Sequence, residues 1–406
     1  SNETLHVNIS AYRKSYNTQC VAIKAIEDWK LSLDQGHYTA AISTDLSKAF
    51  DVLPHGLLLA KLSAYGFDSN SIELLCNYLS ERKQRVKIND SKSKWYKIKK
   101  GVPQGSVLGP TLFNLFINDI FCIIDDCNLY NYADDNVISY ASTDLTVLKS
   151  HLESDVRNVL NWFKDNGMKA NPEKFQLISF GSTLNSIQAG TTEICSQSSI
   201  KYLGIYVDNK LTFHDHVEKL CSKASKQASA LMRLCNTIDY DTKFLLYKAF
   251  ISANFDYCPV IWSLCYKSDL VKICKLQTRA LRFVSCNFDL SGRDLLEYCN
   301  TTSVTSMCMT KVAIEMYKIV NDISPHYLCQ MFKSSRNNYI LRGHRSLQLR
   351  APRTTRYGKL SLSYAGVKLW NHLPNVLKEA GSLNDFRKLL QDWVPPDNIW
   401  FYVNSF

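Results

Sequence analysis

The stretch Asn131-Tyr132-Ala133-Asp134-Asp135-Asn136 places two adjacent carboxylates between two short apolar runs. These runs, Cys127 to Tyr132 and Asn136 to Tyr140, are typical of short strands. They predict a hairpin with Asp134 and Asp135 at its tip, where burial cannot neutralise either carboxylate without a large cost.

The surrounding sequence supplies no cation for this pair. Residues 101–148 contain six Asp and no Lys or Arg. Neighbouring carboxylates without a basic partner repel each other, and a hard divalent cation such as Mg²⁺ relieves that repulsion. A solvated Asp-Asp turn is the ordinary alternative, since Asp is a common turn residue.

The composition indicates a globular protein with a basic C-terminal part. The 406 residues are 46% hydrophobic, enough for about two or three domains. Lys and Arg number 48 against 37 Asp and Glu, a net charge of +11. Ten basic residues and no acidic residue lie within residues 333–378. This concentration predicts a surface that binds a polyanion.

The fourteen cysteines are scattered without a Cys-x-x-Cys pair, which favours reduced thiols and disfavours a zinc site. A metal role for His214 and His216 is disfavoured because no Cys or second His cluster accompanies them. We find no signal peptide and no apolar run long enough for a membrane helix. The first residues resemble the start of a fragment, and the expected location is intracellular.

The order of apolar patterns predicts an α+β fold that becomes mostly helical after about residue 211. A β-rich run, Tyr38 to Thr44, delivers Asp45 at its end. The other predicted strands span 84–89, 95–99, 174–180 and 201–207, and the main predicted helices span 57–64, 72–79, 110–124, 146–166, 214–237, 242–255, 267–286 and 383–393.

Asp45 is the third carboxylate that a metal centre at the hairpin needs. Nucleotidyl transfer by two metal ions about 4 Å apart uses carboxylates from separate elements to bridge the ions. A carboxylate at a strand end beside an Asp-Asp hairpin tip would supply that arrangement.

Four stretches then carry a resemblance to a known family. They stand in the order of the reverse-transcriptase palm motifs: Asp45-Leu46-Ser47-Lys48-Ala49-Phe50-Asp51, Pro103-Gln104-Gly105-Ser106-Val107-Leu108-Gly109-Pro110, Tyr132-Ala133-Asp134-Asp135 and Gly167-Met168-Lys169-Ala170-Asn171-Pro172-Glu173-Lys174. The chain most resembles the non-LTR (LINE-type) retrotransposons of the jockey-related group. The resemblance continues through residues 201–205, 256–263 and 365–374, so it covers nearly the whole chain.

The resemblance implies a polymerase right-hand fold, with a palm of antiparallel sheet and helices, a helical thumb and a basic C-terminal extension. The implied segments are a remnant of the fingers at 1–36, the palm at 37–210 with a basic fingers-like hairpin at 84–100, the thumb at 211–332 and the extension at 333–406.

It also implies the metal site. Asp45, Asp134, Asp135 and the Leu46 carbonyl would hold two Mg²⁺ ions, for which Mn²⁺ can substitute. Lys174 matches a basic residue proposed to protonate the pyrophosphate leaving group. A solvated Lys is the ordinary alternative.

The implied nucleotide and template contacts are Phe50, whose ring would block a ribose 2′-OH, the loop residues Gln104 and Gly105, Tyr132 near the primer end, and Arg13. The expected nucleic-acid contacts are Arg85, Lys87, Lys97, Lys99, Arg350, Arg353 and Arg356. Core aromatics, an ordinary Pro-Gly loop and a solvated hairpin are the competing structural interpretations.

The expected function is therefore RNA-directed DNA polymerisation, with an RNA template, a DNA primer and dNTPs as partners, in the nucleus with a cytoplasmic ribonucleoprotein stage. A basic fingers strand that clamps the triphosphate in relatives is not found before Tyr12. An inactive fragment that binds nucleic acid is thus the alternative. Phe50 and the Tyr-Ala before the Asp pair disfavour a viral RNA-dependent RNA polymerase, and no lipase or P-loop motif is present.

Overall fold

The computed structural model of the chain describes residues 4–46, 48–182, 184–234, 236–332 and 346–393. Their contacts divide into two compact units. Unit 1 combines Ser1–Asn17 with His37–Gln197, and unit 2 combines Thr18–Gly36 with the described part of Ser198–Phe406.

Unit 1 consists of short helices around one main sheet. Its elements are β1 (Tyr38–Thr44), α2 (Ala49–Val52), α3 (His55–Ala64), α4 (Ser69–Leu79), β2 (Lys83–Gln84), β3 (Lys87–Ile88), β4 (Ser91–Lys92), β5 (Tyr96–Lys97), α5 (Leu108–Ile117), a 3₁₀-helix (Asn118–Ile123), β6 (Asn128–Tyr132), β7 (Asp135–Ser142), α6 (Leu145–Asp165), a 3₁₀-helix (Pro172–Lys174), β8 (Gln176–Phe180), β9 (Ser186–Ala189) and β10 (Thr192–Gln197).

The main sheet has six strands in the order β6-β7-β1-β8-β10-β9. All neighbours pair antiparallel except β8 and β10, which are parallel. The central strand β1 is covered on both faces, and Ala40, Ala41 and Ile42 are fully buried. Burying one large aliphatic side chain contributes about 1.5–3 kcal/mol, so this strand anchors unit 1. The predicted α+β class is confirmed, whereas the β9–β10 hairpin was not predicted.

Helix α6 supports the start of strand β6 through one buried carboxylate. Asp155, 1% exposed, accepts hydrogen bonds from the backbone N–H groups of Asp125, Asp126 and Cys127. Burial by itself would raise the pKa of Asp155, but these three donors outweigh it and lower the pKa. The carboxylate therefore stays ionised and fixes the chain just before the acidic hairpin.

The predicted basic hairpin forms as two short ladders rather than one. Strands β2 and β5 pair near its base and strands β3 and β4 pair at its tip. All four strands are exposed. Without a buried face the strand register is weakly specified, which explains why the ladder is broken.

Unit 2 is helical apart from one two-stranded hairpin. Its elements are α1 (Thr18–Asp34), β11 (Ser199–Tyr202), β12 (Ile205–Asp208), α7 (His214–Arg233), α8 (Tyr240–Leu246), a π-helix (Tyr247–Ser252), α9 (Ala253–Asp256), α10 (Pro259–Trp262), α11 (Lys267–Ser285), α12 (Gly292–Tyr298), α13 (Val304–Val320), α14 (His326–Met331), π-helices at Thr355–Lys359 and Leu362–Gly366, α15 (Val367–His372), α16 (Asn375–Lys378) and α17 (Leu383–Gln391). In the part of the chain that the structure describes, no helix has the length and apolarity needed to cross a bilayer.

The turn between β11 and β12 is held by the Asp256–Ser263 stretch. The Tyr257 hydroxyl donates to the Leu203 carbonyl at 2.6 Å. A Cβ added to Gly204, which has a φ of +81°, would lie 3.0 Å from the Tyr257 ring. Glycine is therefore required here both by its backbone conformation and by the close approach of Tyr257.

Helix α1 lies at the core of unit 2. It buries most of its circumference, including Trp29 at 1% exposed, and leaves a partly exposed stripe at Lys24, Asp28 and Leu31. Three of its buried residues are charged, Glu27, Lys30 and Asp34. All three bind the backbone of residues 353–363.

Two boundaries between the compact units differ from the predicted domain boundaries. Residues 1–36 divide after Asn17, because the buried charges of α1 bind the C-terminal segment and group α1 with unit 2. The first unit ends at Gln197 and not at 210, because the β11–β12 hairpin packs with Tyr257. The described part of 333–406 belongs to the same unit as 211–332.

Lys30 gives unit 2 a measurable pH dependence. Its amine donates to the Leu360 carbonyl, and burial lowers the pKa from 10.5 to about 8, although Glu27 and Asp208 oppose the shift. Between these two values the unfolded chain binds more protons than the folded chain, so this group increases stability as pH rises from about 8 to 10.5. The slope is at most about 1.4 kcal/mol per pH unit.

We therefore expect the stability of the wild type relative to Lys30→Met to increase through this pH range in urea titrations. Lys24→Met on the same helix is the control, because Lys24 is partly exposed and pairs with Asp28. If the difference in the free energy of unfolding between the wild type and Lys30→Met does not change between about pH 8 and 10.5, the pKa of Lys30 is not lowered by folding.

Candidate active site

The strand register brings the predicted carboxylates to one end of the sheet. Thr44, the last residue of β1, pairs with Asn136 of β7, so the following residue Asp45 lies opposite Asp135. On the other side of β1, Ser43 pairs with Gln176, which brings Lys174 towards Asp45. The Lys174 amine is 3.4 Å from an Asp45 carboxylate oxygen.

The tip of the acidic hairpin is braced by two buried asparagines. The Asn131 side-chain amide donates to the Ala133 carbonyl at 2.7 Å and to the Asn136 side-chain oxygen at 2.8 Å. The Asn136 amide donates to the Asp134 carbonyl at 3.3 Å. Ala133 has a φ of +54°, a conformation that L-residues adopt only when the surroundings impose it. The asparagines thus fix the turn that presents Asp134.

The carboxylates interact strongly with one another. Desolvation in the crowded cluster, followed by the negative charges of Asp134 and Asp45, raises the pKa of Asp135. Lys174 supplies one positive charge against three carboxylates. This excess of hard oxygen donors fits divalent cations, and the Asp45, Asp134 and Asp135 carboxylates are the groups that could hold them.

The Leu46 carbonyl remains a candidate ligand beside Asp45. Leu46 forms an isolated antiparallel bridge with Ala170. The hydrogen bond of this bridge runs from the Asn171 N–H to the Asp45 carbonyl at 3.1 Å. The bridge therefore connects residues 45 and 46 to the segment before Lys174. Its hydrogen bond uses the Asp45 carbonyl and not the Leu46 carbonyl.

Phe50 is half-buried and contacts two other rings. Its ring stacks on the buried Phe113 ring with centroids 4.3 Å apart. The Tyr12 ring makes an edge contact with the Phe50 ring, with centroids 6.3 Å apart. Phe50 is thus partly a packed aromatic and partly exposed.

The predicted nucleotide loop is tied to the same motif. The Val102 N–H donates to the Phe50 carbonyl at 3.0 Å, and the Gln104 amide donates to the Asp51 carboxylate at 2.9 Å. Gly105 has a φ of +77° and open space where a Cβ would be. A ligand can therefore approach the backbone at Gly105, as predicted for a glycine in this loop.

A cavity of about 470 Å³ opens next to this loop. Its charged and polar lining consists of Lys48, Asp51, Arg82, Gln84, Lys100 and Gln104. The three basic side chains make the cavity suited to an anionic group such as a phosphate.

Of the two adjacent residues Tyr12 and Arg13, the structure brings Tyr12 to the carboxylates. The Arg13 guanidinium donates to the Ile9 carbonyl at 2.9 Å and lies over the Tyr16 ring, so it holds its own segment together. Burial and then the charges of Asp134 and Tyr132 raise the pKa of Tyr12. Sequence reasoning missed Tyr12, because its position depends on contacts with distant residues.

The basic residues of the 84–100 hairpin are exposed together with aromatic rings. Arg85 stacks its guanidinium on Trp95 at 4.5 Å, and Trp95 is 58% exposed. Lys87, Lys97 and Lys99 are also exposed. Exposed cations interleaved with rings match the chemistry of a nucleic-acid backbone and its bases.

The three predicted arginines of the C-terminal segment are engaged to different extents. Arg356 donates to the Tyr266 hydroxyl at 3.2 Å, a contact that raises its pKa. Arg353 reaches the Gln35 carbonyl at 3.4 Å, and Arg350 lines a cavity of about 450 Å³. The remaining predicted basic positions at 333–345 lie outside the described residues.

His214 and His216 have structural surroundings. His214 lies with Glu218 and Asp269 in a cluster that could hold a metal, but Lys272 contacts Glu218 at 2.5 Å and Asp269 at 3.2 Å and supplies the positive charge. Burial lowers the pKa of His216 to about 4. The expectation against a metal at these histidines is consistent with this ion-pair network.

Comparisons with known proteins match these motifs. The sequence profile of the family described as "Reverse transcriptase (RNA-dependent DNA polymerase)" matches residues 3–207. The chain is 29% identical over 289 residues to "Probable RNA-directed DNA polymerase from transposon BS" of Drosophila melanogaster, covering 67% of this chain and 32% of that protein. It is 28% identical over 267 residues to "RNA-directed DNA polymerase from mobile element jockey" of the same species, covering 63% of this chain and 29% of that protein.

The chain therefore spans about a third of the length of the curated relatives it matches. Among solved structures, it is similar to apo telomerase from Candida Tropicalis at 13% identity and a TM-score of 0.42, over 81% of this chain and 59% of that chain. Because the family profile spans half of the chain and includes Asp45, Asp134 and Asp135, the chain belongs to the reverse transcriptase (RNA-dependent DNA polymerase) family.

Proposed function

We propose that this chain catalyses RNA-directed DNA polymerisation as part of a non-LTR retrotransposon protein, adding dNTPs to a DNA primer on an RNA template. Its site of action would be nuclear DNA, reached from a cytoplasmic ribonucleoprotein. The observation that carries the proposal is the convergence of Asp45, Asp134 and Asp135 at one end of the sheet, where their charges couple.

The reverse transcriptase family generally uses divalent metal ions. We infer that Mg²⁺, or Mn²⁺ in its place, is held by the Asp45, Asp134 and Asp135 carboxylates with the Leu46 carbonyl nearby. When bound, the two ions would activate the primer hydroxyl and neutralise the charge that develops on the triphosphate.

The protein's own groups would then position the nucleotide. Phe50, supported by Phe113, would face the sugar and exclude a 2′-OH. The Gln104–Gly105 loop, held by the Gln104–Asp51 hydrogen bond, would lie against the base pair being formed. Tyr132, which pairs with Asp135 in the hairpin, would contact the primer end.

Lys174 would hold a proton near the leaving group. Its amine lies 3.4 Å from Asp45, and its side chain is 62% exposed. An ammonium in this place can protonate a departing phosphate oxygen once the ligand competes for Asp45.

The test is extension of a DNA primer annealed to an RNA template with Mg²⁺ or Mn²⁺, using this chain and a chain extended upstream through the basic fingers strand of its relatives. We expect metal-dependent extension that chelation abolishes. If neither chain extends the primer with either metal, the proposal is wrong.

The basic C-terminal segment yields a separate prediction. Replacing Arg350, Arg353 and Arg356 by Gln should flatten the salt dependence of RNA binding, because each lost phosphate contact removes about 0.7 from the slope of log K against log salt for a single strand. Replacing the same residues by Lys is the matched control, since it keeps the charge at each position. An unchanged slope in the Gln variant would exclude this segment from RNA binding.

A further inference from the structure

The short segment 9–13 of unit 1 is fixed on several sides. Ile9 forms a parallel bridge with Asn131 of the acidic hairpin. The Ala11 carbonyl accepts a hydrogen bond of 2.7 Å from the buried Asn114 amide. Arg13 closes the segment by donating to the Ile9 carbonyl. These contacts leave the residue between Ala11 and Arg13 little freedom.

That residue, Tyr12, is held in an unfavourable backbone conformation and points outward. Its φ is +58°, although a non-glycine residue in the left-handed region costs about 1–2 kcal/mol. Its side chain is 59% exposed, so burial of the ring does not offset that cost. Strain of this kind persists where the surrounding structure imposes it, and it is concentrated at functional sites.

The Tyr12 ring lies at the candidate active site. It meets the Phe50 ring at 90° with centroids 6.3 Å apart, and the Phe50 ring also stacks on the buried Phe113. The negative charge of Asp134 acts on its hydroxyl. Phe50 therefore contacts one buried ring, Phe113, and one exposed ring, Tyr12.

We propose that Tyr12 is a positioning residue for selection of the sugar: by its perpendicular contact with the Phe50 ring, it holds that ring in place and maintains discrimination between deoxyribonucleotides and ribonucleotides. This inference rests on the proposed function, because it assigns a nucleotide to the site beside Phe50. Without Tyr12, the stack on Phe113 restrains the Phe50 ring with one fewer ring contact, so the ring has more freedom to leave the position that faces the sugar.

The experiment measures nucleotide binding without catalysis. The full chain is mixed with Mg²⁺ and an RNA template annealed to a DNA primer that ends in a dideoxynucleotide, and the affinities for the templated dGTP and GTP are compared. Tyr12→Asn removes the ring while keeping a residue that tolerates the left-handed conformation, and Tyr12→Phe keeps the ring. Tyr298→Asn is the matched control, because Tyr298 is also 59% exposed and also makes a perpendicular ring contact at 6.3 Å, with Tyr240.

We expect the wild type to bind dGTP more tightly than GTP, and Tyr12→Asn to reduce that ratio by about two- to tenfold, the range expected for loss of one perpendicular ring pair. Tyr12→Phe and Tyr298→Asn should keep the wild-type ratio. A wild type without preference for dGTP, or a Tyr12→Asn variant with an unchanged ratio, would overturn the inference.

Extension of an unblocked primer is measured in parallel, so that the two proposals can fail separately. If the preference for dGTP over GTP depends on Tyr12 but the chain never extends the primer, the inference is supported and the proposed function is contradicted. If the chain extends the primer with dNTPs but the ratio of dGTP to GTP affinity is the same with and without Tyr12, the proposed function is supported and the inference about Tyr12 is contradicted.

Discussion

Asp134→Asn should reduce the rate of primer extension by at least about a thousandfold, which corresponds to the several kcal/mol that a bound metal contributes to such a transition state. Asp134 stands at the tip of a turn that Asn131 and Asn136 hold in place, so the substitution changes the charge and leaves the geometry intact. An amide is a weaker ligand than a carboxylate and carries no negative charge to bind the ion.

The same substitution should leave the fold as stable as before, or slightly more stable, because it removes one of the charges that raise the pKa of Asp135. Thermal unfolding with increasing Mg²⁺ measures this. The wild type should gain stability from the ion by mass action, and Asp134→Asn should gain less.

Asp165→Asn is the control for charge alone, since Asp165 is an exposed residue at the end of α6. It should keep both the extension rate and the response to Mg²⁺. If Asp134→Asn extends primers as fast as its parent, the carboxylate cluster is not the catalytic metal site.

The acidic hairpin and its neighbours could be predicted because their signals are local. Two apolar runs, an Asp-Asp turn and a β-rich run that ends in Asp45 define strands without reference to the rest of the chain. Once Thr44 pairs with Asn136, the antiparallel register places Asp45 opposite Asp135. The charge coupling at the site then follows from the order of the motifs.

Tyr12 could not be predicted in the same way. Its place beside Phe50 depends on a bridge from Ile9 to Asn131 and on a hydrogen bond from Asn114 to Ala11, which are more than 100 residues away in sequence. A Tyr-Arg pair in a polar segment has no periodicity that would predict such contacts. The resemblance implied Arg13, the charged residue of the pair, as the functional one.

The resemblance placed helix α1 in the fingers, whereas the contacts of the described residues group it with unit 2. Most of its circumference is buried, so another segment covers it. Glu27, Lys30 and Asp34 share this helix with the partly exposed Lys24 and Asp28, so the sequence does not show which of its charges are buried and paired. The partners lie more than 300 residues away, beyond the reach of any local pattern.

The C-terminal segment is consequently a structural part of unit 2 as well as a basic surface. Glu27 accepts hydrogen bonds from the Leu362 and Ser363 N–H groups, and Asp34 binds the backbone at residues 353 and 354. Removing a segment that was expected to be an appendage would therefore expose the buried charges of α1. Asp34 thus binds the backbone at Arg353, one of the exposed arginines of this segment.

Asp34→Ala should destabilise unit 2 by about 2–5 kcal/mol and release the segment that begins at Arg350. Asp34 is the last residue of α1, where the helix dipole disfavours a carboxylate. The hydrogen bonds that it accepts from the C-terminal segment offset this unfavourable interaction. It accepts hydrogen bonds from the Arg353 N–H at 3.1 Å, the Thr354 N–H at 2.7 Å and the Thr354 hydroxyl at 2.8 Å. A Cβ on Gly358 would come within 2.5 Å of the carboxylate, which shows how closely the segment approaches it.

Urea unfolding measures the loss of stability, and limited trypsin digestion measures the release, since Arg350, Arg353, Arg356 and Lys359 are cleavage sites within the segment. Asp34→Ala should speed cleavage there without changing cleavage in unit 1. Asp28→Ala is the matched control, because Asp28 lies on the same helix and pairs with Lys24 at its partly exposed surface, where a substitution changes stability by about 0.5 kcal/mol. If the two variants are equally stable and equally sensitive to trypsin, the Asp34 contacts do not hold the segment. If Asp34→Ala alone is cleaved faster within the segment, one buried carboxylate at the end of α1 positions the basic surface of the C-terminal segment.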